Sequence, residues 1–262
     1  MEYFDAHCHL NCEPLLSEIE KSIANFKLIN LKANVVGTDL DNSKIAVELA
    51  KKYPDLLKAT IGIHPNDVHL VDFKKTKKQL NELLINNRNF ISCIGEYGFD
   101  YHYTTEFIEL QNKFFEMQFE IAETNKLVHM LHIRDAHEKI YEILTRLKPT
   151  QPVIFHCFSQ DINIAKKLLS LKDLNIDIFF SIPGIVTFKN AQALHEALKI
   201  IPSELLLSET DSPWLTPSPF RGKVNWPEYV VHTVSTVAEI KKIEIAEMKR
   251  IIVKNAKKLF WH

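Results

Sequence analysis

Residues 91–133 read ISCIGEYGFDYHYTTEFIELQNKFFEMQFEIAETNKLVHMLHI. Two short apolar, β-rich runs, residues 91–96 and 128–133, bracket a longer stretch in which Phe107, Leu110, Phe114, Met117 and Ile121 recur at steps of three and four. That spacing predicts a helix over residues 104–125 whose apolar face meets a sheet rather than a ligand. Strand, helix, strand in this order makes a right-handed βαβ unit with parallel strands.

The same alternation continues in both directions. Upstream, strands are expected at residues 3–9, 33–38 and 59–64; downstream, at 153–157, 177–182 and 205–209. Eight strands with helical spacing between most of them fit a closed (β/α)8 TIM barrel better than an open doubly wound sheet. The length of 262 residues suits one such barrel, so residues 1–262 are expected to form a single domain. No internal repeat or low-complexity segment interrupts the pattern. The long irregular stretch is 212–227, which holds Pro213, Pro217, Pro219, Pro227 and Gly222. Loops that follow barrel strands build the active face, which makes this one a functional candidate.

Composition narrows the class. Hydrophobic residues at 46% and charged residues at 25% describe a protein able to bury a sizeable core, not a disordered or fibrous chain. A net charge of −1 argues against broad phosphate neutralisation, so any nucleic-acid contact should be local. Cys8, Cys93 and Cys157 lie in strand-like runs, where burial as small apolar side chains is expected, and with Cys12 they form no CxxC pair. The first strand starts so early that a signal peptide has no room, and no apolar run reaches membrane-spanning length. A reduced, cytoplasmic protein without membrane contact is the expectation.

His7 and His9 stand two apart in a strand and so leave it on one face, at the rim of a barrel. Two imidazoles held this way suit a transition metal, although an isolated His-x-His has many ordinary explanations. The other strands supply the rest. Glu96 ends the fourth, His132 the fifth and His156 the sixth, and Asp211 follows the eighth. Each falls where barrel enzymes keep their chemistry. Buried carboxylates such as Glu96 and Asp211 also need a positive partner. His7, His9, Glu96, His132, His156 and Asp211 are therefore the expected ligands of one or two divalent cations. His and carboxylate donors without thiolate suit Zn²⁺, Mn²⁺ or Mg²⁺.

Seven motifs now stand in order along the chain. They are Asp5-Ala6-His7-Cys8-His9-Leu10, Gly62-Ile63-His64-Pro65, Gly95-Glu96-Tyr97-Gly98-Phe99-Asp100-Tyr101, His132-Ile133-Arg134-Asp135-Ala136, His156-Cys157-Phe158-Ser159, Thr210-Asp211-Ser212-Pro213 and Arg221-Gly222-Lys223. Together they resemble the TatD-type deoxyribonucleases of the amidohydrolase superfamily, from Asp5 to the tail at residues 255–260. The resemblance implies a metal-dependent barrel hydrolase acting on phosphodiester bonds, with nucleic acid (DNA, or RNA) as substrate. It implies one cation on His7, His9 and Asp211, a second on His132 and His156, and Glu96 as the bridge. Related amidohydrolases often bridge with a carboxylated lysine on the fourth strand; Glu96 at that place favours the nuclease branch. Gln160, Asn11, Val224 and Trp226 depart from the family pattern, in positions that bear on substrate preference rather than on the ligands.

In such a site Asp211 is expected to orient and deprotonate water, with Glu96 and His64 as further catalytic groups. Asp5 and Glu209 share strand parity with His7 and Asp211. Either they accept hydrogen bonds from ligating imidazoles or they form rim ion pairs. Arg134, Arg221, Lys223 and Asn225 are candidate phosphate contacts, with a solvated loop as the plain alternative. Trp214, Trp226, Phe99 and Tyr101 are candidates for base stacking, with packing as theirs. His129 faces away from His132. His69, His102, His137, His195, His232 and His262 match no motif. The functional expectation is a deoxyribonuclease, most naturally an exonuclease on single-stranded ends. The alternatives are an ester hydrolase such as an aminoacyl-tRNA deacylase, or a barrel that binds metal without catalysis. No obligate protein partner is expected.

Overall fold

Eight parallel strands pair in sequence order, each followed by at least one helix, in a computed structural model that describes residues 1–103 and 105–261. Thr104, the expected start of the fourth helix, and His262 lie outside the described residues. The first half runs β1 (Tyr3–Cys8), α1 (Ile19–Ile29), β2 (Leu31–Val36), α2 (Leu40–Lys52), β3 (Leu57–Ile61), α3 (Phe73–Asn87), β4 (Ile91–Asp100) and α4 (Ile108–Thr124). The second runs β5 (Val128–Arg134), α5 (His137–Leu147), β6 (Val153–Phe155), α6 (Ile162–Leu169), β7 (Ile178–Ile182), α7 (Gln192–Ile200), β8 (Leu206–Ser208), α8 (Val230–Lys241) and α9 (Ile245–Phe260). This is the (β/α)8 TIM barrel. Among the described residues no helix is long and apolar enough to cross a membrane.

The seam between β8 and β1 is closed largely by side chains. Ser208 Oγ donates to the Phe4 carbonyl at 2.7 Å, and the Asp5 carboxylate accepts from Thr210 N at 2.9 Å and Thr210 Oγ1 at 2.6 Å. Just above, Asp211 N donates to His7 O at 2.9 Å and His9 N to Ser212 O at 2.8 Å. These bonds fix the height of the first and last rim segments against each other.

Inside, Phe4, Ala6, Val36, Cys93, Val128, Met130, Ile154, Phe179 and Leu207 pack together from strands all round the barrel. Ala256, Leu259 and Phe260 of α9 join them and plug the N-terminal end. The other helices lie outside; α4 presses Phe114, Met117 and Ile121 onto the sheet, and Phe107 and Leu110 pack at its margin. Three helices are started by aspartates, Asp39, Asp72 and Asp161, each accepting a first-turn N–H.

Strand alternation carries Val128 and Met130 inward and then delivers His132 to the open end. Two strands break that alternation. The pairing register shifts between Asp5 and Cys8 in β1 and between Ile94 and Tyr97 in β4. Without the shifts, the parity that turns Phe4, Ala6 and Cys93 inward would turn His7 and Glu96 outward. Glycine permits the second irregularity, since a Cβ on Gly95 would sit 2.5 Å from the Met130 carbonyl oxygen.

Candidate metal centre

Glu96 stands at the centre of the open end, buried, with its two oxygens facing different neighbours. Oε1 lies 3.5 Å from His7 Nε2 and 3.7 Å from His9 Nε2. Oε2 lies 3.0 Å from His156 Nε2 and 3.4 Å from His132 Nδ1. Asp211 sits on the first side, with Oδ1 3.3 Å from His9 Nε2 and 3.7 Å from His7 Nε2. A positive φ of 57° at Asp211 turns the chain just past β8 at that point. All six residues read from the sequence as ligands thus meet in one cluster centred on the Glu96 carboxylate. His64 joins them, its ring centroid 4.3 Å from that of His132. Donor atoms of His7, His9 and Asp211 lie within 4.8 Å of one another, as do those of His64, Glu96 and His132.

The outer atoms of the imidazoles decide what the inner ones can do. His9 Nδ1 donates to the Val36 carbonyl at 3.0 Å, and His132 Nε2 donates to Asp100 Oδ2 at 3.1 Å. His156 Nδ1 lies 3.3 Å from Glu209 Oε1. A neutral imidazole held in this way turns a lone pair toward Glu96 or Asp211. Lone pair against carboxylate oxygen is repulsive unless a proton or a cation stands between them. The Nε2 atoms of His7 and His9 are also only 3.1 Å apart, and His7 Nδ1 is buried without a partner.

Without metal, protons must resolve the conflict. Burial disfavours charge on both Glu96 and His156, yet the opposite charges around them prevail. The Glu96 carboxyl is held well below the usual carboxylate range, and the His156 imidazole is pushed well above its own. Burial and the neighbouring His156 together lower His7. Divalent cations between the donor atoms would replace those protons, so this donor set fits metal.

Across the whole chain the sequence carries the same signature. Residues 4–261 match the model of the TatD-related DNases. The chain belongs to that family. An uncharacterised metal-dependent hydrolase of Mycoplasma pneumoniae is 67% identical over 261 residues, covering 100% of both chains. The uncharacterised metal-dependent hydrolase YabD of Bacillus subtilis is 35% identical, covering 98% of both. The crystal structure of YjjV, a TatD homologue of Escherichia coli K12, superposes with a TM-score of 0.91 at 24% identity, covering 99% of this chain and 98% of that one. With that membership, the chain is a metal-dependent hydrolase of the TatD type.

The remaining expectations divide. Glu209 is fully buried and does support a ligand candidate, with Oε1 also accepting from Cys157 N at 2.8 Å. Asp5 does not: its carboxylate is taken up by Thr210 and by His7 N at 3.2 Å, and it meets no imidazole. Asn225 is corrected more sharply. Its side chain is buried and donates to the Thr210 carbonyl at 2.9 Å and the Trp214 carbonyl at 2.6 Å, so it braces the 212–227 loop and is withdrawn from any phosphate.

Arg134 stacks on the exposed Tyr103 and donates to its hydroxyl at 3.0 Å. Arg221 lies over Phe188 on the surface, and Lys223 is exposed. A cavity of about 240 Å³ opens over the centre, lined by His9, Thr38, His64, Asp67, Glu96, His132, His156, Asp211 and Trp214. Neither the two arginines nor Lys223 lines it. Of the four aromatic candidates Trp214 alone does, edge-on to His9 at 5.0 Å. Phe99 is buried against Phe115, Tyr101 packs on the core, and Trp226 lies under Lys21. Thr38, Asp67 and Asp100 were missed. For Asp100 the signal existed, since Glu96, Gly98 and Asp100 share parity in a strand that runs four residues beyond its expected end.

Proposed function

We propose that this chain cleaves phosphodiester bonds in DNA, working inward from single-stranded ends. The observation that carries the reading is Glu96, whose two oxygens face separate groups of nitrogen and oxygen donors. His7, His9 and Asp211 would hold one cation, His132 and His156 a second, with Glu96 between. Bound there, divalent metal supplies a nucleophile at neutral pH and charge stabilisation for a phosphoryl group.

The protein's own groups supply the rest. Asp211, which lines the cavity beside His9, takes a proton from the attacking water. His64 is neutral at physiological pH, since burial and the adjacent His132 lower it to about 3. Its Nδ1 accepts from Asn66 N at 3.1 Å, which leaves Nε2–H to donate to a phosphate oxygen. Trp214 offers a face for a base at the mouth. A cavity of about 240 Å³ suits a splayed strand end better than the middle of a duplex.

The reading is tested by incubating purified protein, loaded with Mg²⁺, Mn²⁺ or Zn²⁺, with end-labelled single-stranded DNA, an aminoacyl-tRNA and a small aryl phosphodiester. Stepwise shortening of the DNA, abolished by EDTA and reduced at least about a hundredfold in Asp211→Asn, supports it. Release of amino acid without phosphodiester cleavage overturns it.

A further inference from the structure

One wall of the cavity carries chemistry that phosphodiester hydrolysis does not use. Asp67 lies on the loop after β3, three residues beyond His64, and faces the same space as Glu96 and His132. Its backbone is fixed, with N donating to His64 O at 2.9 Å and O accepting from Leu70 N at 3.0 Å. Among the described residues its carboxylate has neither hydrogen bond nor ion pair. Asp39 nearby is different, because both its oxygens are committed to Asn42 at the start of α2. Thr38, whose backbone carbonyl accepts from His64 N at 2.7 Å, brings a hydroxyl to the same wall.

Two neighbours on this wall therefore ask for opposite things. His64 presents an N–H, which suits a phosphate oxygen. Asp67 presents a bare carboxylate, and Asp39 adds to the negative potential around it while His69 opposes it. A second phosphate there would meet like charge in a partly enclosed space, whereas a hydroxyl would find an unused acceptor.

The geometry points to Asp67 as the recognition group for a terminal sugar hydroxyl, admitting chain ends that carry a hydroxyl and rejecting ends that carry a phosphate. This rests on the reading of the site as a phosphodiesterase and adds the chemistry of the end it accepts. Asp67 is thus a specificity determinant. A site built around a substrate hydroxyl discriminates strongly against analogues that leave its acceptor unpaired or opposed.

The test uses the metal-loaded full chain and one single-stranded DNA sequence in four forms, with hydroxyl or phosphate at each terminus. A phosphate at one of the two ends should lower kcat/KM by at least about tenfold. In Asp67→Asn that ratio should fall to within about threefold of unity. Because it compares two substrates on one protein preparation, partial loss of folded protein does not affect it. Equal rates on hydroxyl- and phosphate-ended chains in the wild type overturn the proposal, as does a preference that survives in Asp67→Asn. A small aryl phosphodiester separates the two levels of argument. If it is cleaved while the ends are not distinguished, the end-recognition proposal fails alone. If neither it nor any DNA is cleaved with any of the three metals, the phosphodiesterase reading fails and takes the proposal with it.

Discussion

Glu209 Oε1 accepts from Cys157 N at 2.8 Å and lies 3.3 Å from His156 Nδ1, and among the described residues Oε2 is buried without a hydrogen-bond partner. Its charge keeps the His156 ring turned so that Nε2 faces Glu96. Glu209→Gln retains the shape but loses that charge, and metal affinity should fall about 10–100-fold by titration of chelator-treated protein. An unchanged affinity would reduce Glu209 to packing. Outside the barrel, Glu123 pairs with His129 in a similar way. Burial alone would raise its carboxyl. Hydrogen bonds with His129 Nε2 at 2.8 Å, Thr150 and Gln151 hold it instead at about 2, against an ordinary 4.5. A depressed folded pKa stabilises fully above pH 4.5 and loses its effect as pH falls toward 2. The difference in urea midpoint between wild type and Glu123→Gln should therefore shrink from pH 7 to pH 3; a constant difference would contradict the assignment. His129 was legible as a residue facing away from the site, because strand parity fixes it. Asp5 was legible as an acid sharing strand parity with His7 but not in its partner, because Thr210 reaches it only through closure of the barrel.

Secondary structure was most legible where one face repeats over several turns, as in α4, and least where a strand ends. The expected strands 153–157 and 205–209 stop at Phe155 and Ser208, and positive φ values follow at Cys157 and at Asp211, where the chain turns into the rim loops. β4 errs the other way and runs to Asp100. Its glycines disguised it, since they read as strand breakers yet are needed for close approach to β5. Gly98 has a φ of 155°, and a Cβ there would lie 1.9 Å from the His132 carbonyl oxygen. Gly98→Ala must push β5 away at the residue that offers Nδ1 to Glu96. Destabilisation of about 1–3 kcal/mol is expected by urea unfolding, with a loss of hydrolysis larger than the unfolded fraction explains. If activity merely follows the folded fraction, the spacing of β4 and β5 does not matter to the centre.

A barrel has two ends, and here they do different work. Eight strands were countable in the sequence, but closure was not, because the seam is made largely by Asp5, Thr210 and Ser208 and not by a long ladder whose pattern could be read. The clustering of the candidate ligands was legible for a related reason: charged and imidazole side chains at strand ends have few uses other than chemistry, whereas Thr38 and Asp67 lie on loops where polar residues are ordinary. At the closed end α9 inserts Phe260 against Phe4, with ring centroids 4.8 Å apart, and leaves it almost wholly buried. No ligand candidate lies in that layer. Phe260→Ala should therefore remove about 3–5 kcal/mol of stability in urea unfolding. At temperatures well below the midpoint, metal-dependent hydrolysis should stay within about twofold of wild type. A loss of turnover in fully folded Phe260→Ala protein would mean that the plug sets the height of the strands at the rim, and that the two ends of the barrel are mechanically coupled.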